Sequence, residues 1–157
     1  MRQVSASAEI PGPPQAVFAY LADPANLPEW QAGIVSAETT TPGPVGVGST
    51  AHVVRELMGQ RLAVDLTITT FEPGRRLVLG SAISGIAVEA TLDLQPAGEA
   101  TRLTFSMEIR AQNMFMTPME GMVAGAAERD LATSVERLRA RFSKDEAPDR
   151  AERPRPA

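Results

Sequence analysis

Residues 101–142 read TRLTFSMEIRAQNMFMTPMEGMVAGAAERDLATSVERLRARF, and within them the period of the apolar positions changes once. Up to Arg110 it is two: Leu103, Phe105, Met107 and Ile109 alternate with Arg102, Thr104, Ser106, Glu108 and Arg110. That is the pattern of a strand with one dry and one wet face. Thr117-Pro118-Met119-Glu120 then has the form of a capping box with proline at the first helical position. Beyond it Met119, Val123, Ala127, Leu131, Val135, Leu138 and Phe142 recur at spacings of four and three. Glu128, Arg129, Glu136, Arg137, Arg139 and Arg141 take the other side, so the spacing predicts an amphipathic helix over 118–142. At 1.5 Å per residue it is about 37 Å long.

Upstream, the period of two extends back to Ile34. Leu62, Val64, Leu66 and Ile68 alternate with Ala63, Asp65, Thr67 and Thr69, as do Ile86, Val88, Ala90, Leu92 and Leu94 with Ala87, Glu89, Thr91, Asp93 and Gln95. Turn residues at Met58-Gly59-Gln60, Glu72-Pro73-Gly74-Arg75, Ser84-Gly85 and Pro96-Ala97-Gly98-Glu99 separate the runs at hairpin distances. With a first strand over 4–10, this predicts about seven strands in an antiparallel meander. Between the first strand and the rest, Pro13 and Pro14 open a short helix whose Val17, Phe18 and Leu21 share one face. Asp23-Pro24 ends it and starts a second short turn over 25–30.

The dry face of such a sheet needs a cover, and only the C-terminal helix is long enough. A helix is about 10–12 Å across, whereas seven strands span roughly 29 Å. The sheet must therefore curl around the helix, with the two short helices closing an end, and apolar wall is left over. In the first half of the long helix Gly121, Ala124, Gly125, Ala126 and Ala127 are small, and Met114, Met116, Met119 and Met122 cluster beside them. Methionine suits adaptable apolar binding surfaces, which favours a cavity. The plainer alternative is that small residues let the helix sit close on the sheet while methionines plug the gaps.

Composition narrows the function classes. The chain of 157 residues is 43% hydrophobic and 22% charged, which suits one globular domain. Its net charge of −4 argues against nucleic acid or anionic membrane as the main partner. Zero Cys and one His exclude disulfides, Cys nucleophiles and the usual zinc sites, and no metal or cofactor is expected. The longest mostly apolar run, over 77–88, is too short for a membrane span, and no secretory signal opens the chain, so the expected location is cytoplasmic. Residues 143–157 mix charges with three prolines and are expected to form a disordered tail after a domain over 1–142.

Several of these stretches resemble one superfamily. Glu9-Ile10-Pro11 through Val17-Phe18-Ala19-Tyr20-Leu21-Ala22-Asp23-Pro24 to Trp30, the glycine turn Val45-Gly46-Val47-Gly48, the hairpin Phe71-Glu72-Pro73-Gly74-Arg75-Arg76-Leu77 and Gly98-Glu99-Ala100-Thr101-Arg102-Leu103-Thr104 occur in its order and spacing. It is the START-like, polyketide cyclase/dehydrase and lipid-transport superfamily (SRPBCC). The resemblance covers about residues 4–142. It implies an α+β helix-grip fold, with a seven-stranded curved antiparallel sheet around a long C-terminal helix and two short helices after strand one. It also implies an apolar pocket, but no single function, because fold does not carry chemistry.

His52 and Glu56 share one strand face with Val54, opposite Ala51, Val53, Arg55 and Leu57. Facing inward, they are the candidate catalytic acid–base pair of a cyclase-like enzyme acting on a poly-carbonyl substrate. Facing outward, they belong to a solvated charge row, and neither face of this strand is evidently the dry one. Asp65 is expected in solvent. Tyr20 and Trp30 are expected over the pocket mouth, with Trp30 serving equally well as core cap or ligand contact. The expected ligand lining is Trp30, Val54, Val64, Leu66 and Leu79, then Val88, Phe105 and Met107, and on the helix Met119, Met122, Val123 and Ala126. The leading reading is a module that binds a small hydrophobic or aromatic molecule, with the cyclase as its rival. A third, an interaction module, predicts a filled cavity and an exposed apolar patch instead. Monomer and homodimer are both open.

Overall fold

The computed structural model describes residues 1–152 apart from 58 and 84, and side chains as far as residue 143. Strand β1 (Arg2–Pro11) leads into α1 (Pro14–Ala22), a 3₁₀ turn (Pro24–Asn26) and α2 (Leu27–Trp30). A meander follows: β2 (Ile34–Thr39), β3 (Thr50–Leu57), β4 (Gln60–Glu72), β5 (Arg76–Ile83), β6 (Ile86–Ala97) and β7 (Ala100–Ala111). A second 3₁₀ turn (Met114–Met116) precedes α3 (Met119–Glu152). The sheet order is β1-β7-β6-β5-β4-β3-β2, antiparallel throughout. This is the expected seven-stranded helix-grip arrangement.

The alternation does the work that the sequence assigns to it. On β7 Leu103, Phe105, Met107 and Ile109 are buried, and on β6 Ile86, Val88, Ala90, Leu92 and Leu94 join them in one core. Helix α3 closes that core with Val123, Ala127, Leu131, Val135 and Leu138, packing chiefly along β1 and β7. Each CH₂ taken from water here is worth about 0.8 kcal/mol, so this face rather than helix propensity holds α3 in place. Register shifts at Ile34/Ser36 in β2 and Ile68/Thr70 in β4 interrupt the ladder, and such irregularities increase the local twist of a strand.

Two local expectations change. The Thr117–Glu120 capping box does not form. The Thr117 N–H is already taken by the Met114 carbonyl of the 3₁₀ turn, and Glu120 turns instead to the Ala111 N–H at the end of β7, 2.7 Å away. Helix α3 also continues beyond Phe142. Of the tail expected over 143–157, the side chains from 144 and all of 153–157 lie outside the described residues, as do the turn positions Met58 and Ser84.

Candidate functional site

The two ends of the space between sheet and α3 are packed differently. At the end covered by α1 and α2, Trp30 is fully buried and meets Phe105 edge-on at 5.6 Å, while Phe18 meets Phe71 at 5.2 Å. Tyr20 sits here too, against Phe142 and under the Arg141 guanidinium. A crevice of about 10 Å³ lies at this end, bordered by Leu66 and Leu79 among others. Trp30 and Tyr20 therefore do not cover a pocket mouth: the short helices plug this end with their large rings.

The opposite end is open. A cavity of about 270 Å³ lies between the β3–β4 hairpin (Leu57, Gln60, Leu62), the β5–β6 hairpin (Ile83, Ile86, Val88) and the start of α3 with its preceding turn (Met116, Met119, Val123). That volume is near the lower end of the roughly 300–1,000 Å³ range of small-molecule sites, and the lining is similarly apolar. Met116 closes over the β5–β6 turn so tightly that a Cβ on Gly85 would come within 2.9 Å of its Cγ. Gly85 also has φ +85°, a conformation that a side chain disfavours, so this contact depends on glycine twice over. The Gln112 N–H donates to the Gly85 carbonyl at 2.8 Å, pinning the segment after β7 to the same turn.

Beside the cavity lies a slot of about 20 Å³, sharing Leu57, Ile83, Val88 and Val123 with it and adding Met107, Ile109, Ala127, Arg55 and Asp130. Burial pushes the Arg55 guanidinium below its ordinary value, against the opposing pull of the Asp130 charge, yet arginine stays protonated. Burial in turn raises the Asp130 carboxyl, and Arg55, Arg129 and Arg137 hold that rise back. Both groups crowd Gly33: a Cβ there would lie 3.0 Å from Asp130 Oδ2 and 3.3 Å from Arg55 Nη2. Helix α3 is fixed at this level by Ser134, whose Oγ donates to the Asp130 carbonyl and accepts the Ala32 N–H.

Of the residues expected to line the site, Val88, Met119 and Val123 border the cavity and Met107 the slot. Val64, Phe105 and Trp30 are solid core, and Leu66 and Leu79 are at the closed end. Met122 is 56% exposed, and Ala126 is half-buried beside the cavity wall, because α3 turns Val123 and Ala127 toward the sheet instead. Val54 shares the outer face of β3 with His52 and Glu56. The candidate catalytic pair is thereby corrected: His52 Nδ1 is hydrogen-bonded across the ladder to Asp65 at 2.9 Å and Glu56 lies 3.9 Å from Arg61, both exposed and away from the cavity. The pleat decides this, since burying Ala51, Val53 and Arg55 necessarily turns their neighbours out. Arg55 and Asp130 are the polar residues that periodicity did not single out. The only signal was that Arg55 alternates in step with Ala51, Val53 and Leu57.

Among the described residues no three His, Asp or Glu side chains gather as a metal site, and no helix is long and apolar enough to cross a membrane. The chain is 25% identical over 139 residues, 88% of its own length and 96% of the other's, to an uncharacterized protein of Mycobacterium tuberculosis. Its fold matches a START superfamily protein from Mycobacterium smegmatis, with TM-score 0.73, 16% identity and coverage of 90% of this chain and 97% of that one. It also matches the di-domain ARO/CYC StfQ of the steffimycin biosynthetic pathway, with TM-score 0.74 and 11% identity, over 93% of this chain and 51% of that one. The family model for polyketide cyclase / dehydrase and lipid transport matches residues 1–143, in agreement with the helix-grip sheet, and the chain belongs to that family.

Proposed function

We propose that the protein binds a small hydrophobic or aromatic molecule in the cavity at the N-terminal end of α3. The observation that carries this reading is the contrast in filling: about 270 Å³ between apolar walls at one end and about 10 Å³ at the other. A fold that can pack its core tightly at one end and leaves an apolar hollow at the other keeps that hollow at a cost in stability, as cavities in cores do. Two adaptable methionines border it, Met116 and Met119. The rival reading, a cyclase acting on a bound poly-carbonyl substrate, loses His52 and Glu56 as its acid–base pair, so binding is favoured over turnover.

The test is titration with an environment-sensitive naphthyl dye, on the parent protein and on Val123→Phe. The larger ring fills part of the hollow, so the variant is expected to keep its fold within about 3 kcal/mol of overpacking and to lose dye binding. A parent protein that binds no apolar probe would remove this reading. Where the parent does bind, native mass spectrometry of the purified protein identifies the natural occupant directly.

A further inference from the structure

The cavity accounts for two of four clustered methionines. Met114, Met116, Met119 and Met122 fall within nine consecutive positions and are four of the seven in the chain. Met116 and Met119 border the hollow, but Met122 is 56% exposed and Met114 89% exposed, so lining it does not explain them. A thioether differs from a leucine of similar size in carrying a soft, uncharged donor atom, the sulfur. Three of the four are spaced to act together. Met116, Met119 and Met122 follow at intervals of three across the join between the 3₁₀ turn and α3, where Thr117 keeps helical dihedrals (φ −54°, ψ −43°). Side chains three apart are neighbours on either kind of helix, stacked in a 3₁₀ turn and about 5–6 Å apart at Cβ in an α-helix. Long helical side chains lean back toward the N-terminus, which gives Met122 reach toward Met119 and Met119 toward Met116. Met116 is held from the other side: its Sδ lies 3.8 Å from where a Gly85 Cβ would stand, and its N–H donates to Asn113 Oδ1 at 3.1 Å. The row thus runs from the cavity margin out to solvent.

We propose that Met116, Met119 and Met122 form a binding site for a soft monovalent cation, copper(I) or its analogue silver(I), at the rim of the cavity. Thioether sulfur selects such ions, whereas Mg²⁺ and Ca²⁺ take oxygen ligands. The one carboxylate within 111–122, Glu120, is already engaged by the Ala111 N–H and the Met1 ammonium. The surrounding charge favours a monovalent ion too, because Arg2 Nη2 lies 3.5 Å from where a Gly121 Cβ would stand. Elsewhere the chain offers a soft metal little: it has no Cys, and its single His, His52, is hydrogen-bonded to Asp65 on the outer face of β3. Composition excludes zinc sites built from Cys and His, and thioethers fall outside that exclusion. The site is independent of the cavity's organic occupant, since it needs only the three sulfurs.

The test is titration of the full chain, carrying methyl-¹³C methionine, with Ag(I) and, without oxygen, with Cu(I) supplied as its acetonitrile complex. Three methyl resonances are expected to move together and to saturate at one ion per chain, and Met→Leu substitution at 116, 119 and 122 assigns them. Met122→Leu conserves volume at an exposed position and should weaken binding at least about tenfold. Met116→Leu/Met119→Leu/Met122→Leu should abolish it, and if that variant fails to fold, Met119→Leu/Met122→Leu reads the same loss. His52→Ala should bind as the parent does. No shift in the parent, or shifts that survive leucine at all three positions, overturns the site. Methionine signals that move independently, with no common saturation, mean adventitious binding only and overturn it equally. Binding lost in His52→Ala, or Zn²⁺ held more tightly than Ag(I), assigns the ion to other ligands and overturns the thioether site, while the naphthyl-dye titration continues to judge the cavity by itself.

Discussion

Helix α3 presents the same spacing to the sheet along its length but meets two different interiors. In its later half Leu131, Val135 and Leu138 are buried beside α2, and the rings of Trp30, Phe105 and Phe18 complete a solid core. In its first half the facing residues are Val123, Ala124 and Ala127, and the sheet opposite them stands away around about 270 Å³ of space. Period and direction are identical in the two halves; side-chain volume is not. A core is close-packed only where volumes add up to the space between elements. One amphipathic helix can thus serve as a structural keel at one end and as a pocket wall at the other.

Truncations at the two ends of this interior test the division, and the largest effect belongs to the closed end. Trp30→Ala should cost about 3–5 kcal/mol, because the hole it leaves is walled by residues with no room to relax. Met119→Ala, at the half-buried margin of the open end, should cost less than about 1 kcal/mol and widen the cavity. Urea unfolding followed by far-UV circular dichroism measures both, and equal costs would mean that the two ends are not packed differently after all.

A smaller effect is expected at Glu120, which ties the start of α3 to the end of β7. The Ala111 N–H is the main reason its carboxyl is held below the ordinary value of 4.5, followed by the Met1 ammonium 3.1 Å away. A depressed folded value means that this contribution to stability is fully present above the unfolded pKa and is lost as the pH falls through the folded one. Glu120→Gln should therefore lower the melting temperature at pH 7, by less than Trp30→Ala does, and the gap from the parent should close as the pH is taken well below 4.5. A gap independent of pH would assign the role to shape rather than charge.

The smallest effect is expected at the exposed pair on β3. His52→Ala should change stability by no more than about 0.5 kcal/mol and leave naphthyl-dye affinity unchanged, since the imidazole and Asp65 are both in solvent. Loss of dye binding in this variant would show that the outer face of β3 communicates with the cavity.

The amino-acid sequence by itself determined the elements and their order. Alternation in β4, β6 and β7, the turn residues between them and the four-and-three spacing from Met119 to Phe142 are local properties, and a sheet face with one helix to cover it leaves few arrangements. The helix-grip fold and the presence of apolar wall in excess of what one helix covers follow from that count. Where the excess lies was decided only in three dimensions. Trp30 reads equally well as a core cap or a ligand contact until α2 folds it beneath the sheet against Phe105. Met122 and Val123 are adjacent in sequence, and 100° of helical rotation leaves one exposed and the other on the cavity wall. On β3 both faces carry polar residues, so alternation could not say whether His52 or Arg55 goes inside. The choice falls to the whole sheet, because burying Val53 with Val64 and Ile34 takes Ala51 and Arg55 with it. Arg55 then meets Asp130, which is far away in the chain and brought to the slot by the docking of α3. Periodicity reports which residues share a face; which face closes on empty space depends on volumes summed over elements distant in sequence, and only the folded chain performs that sum.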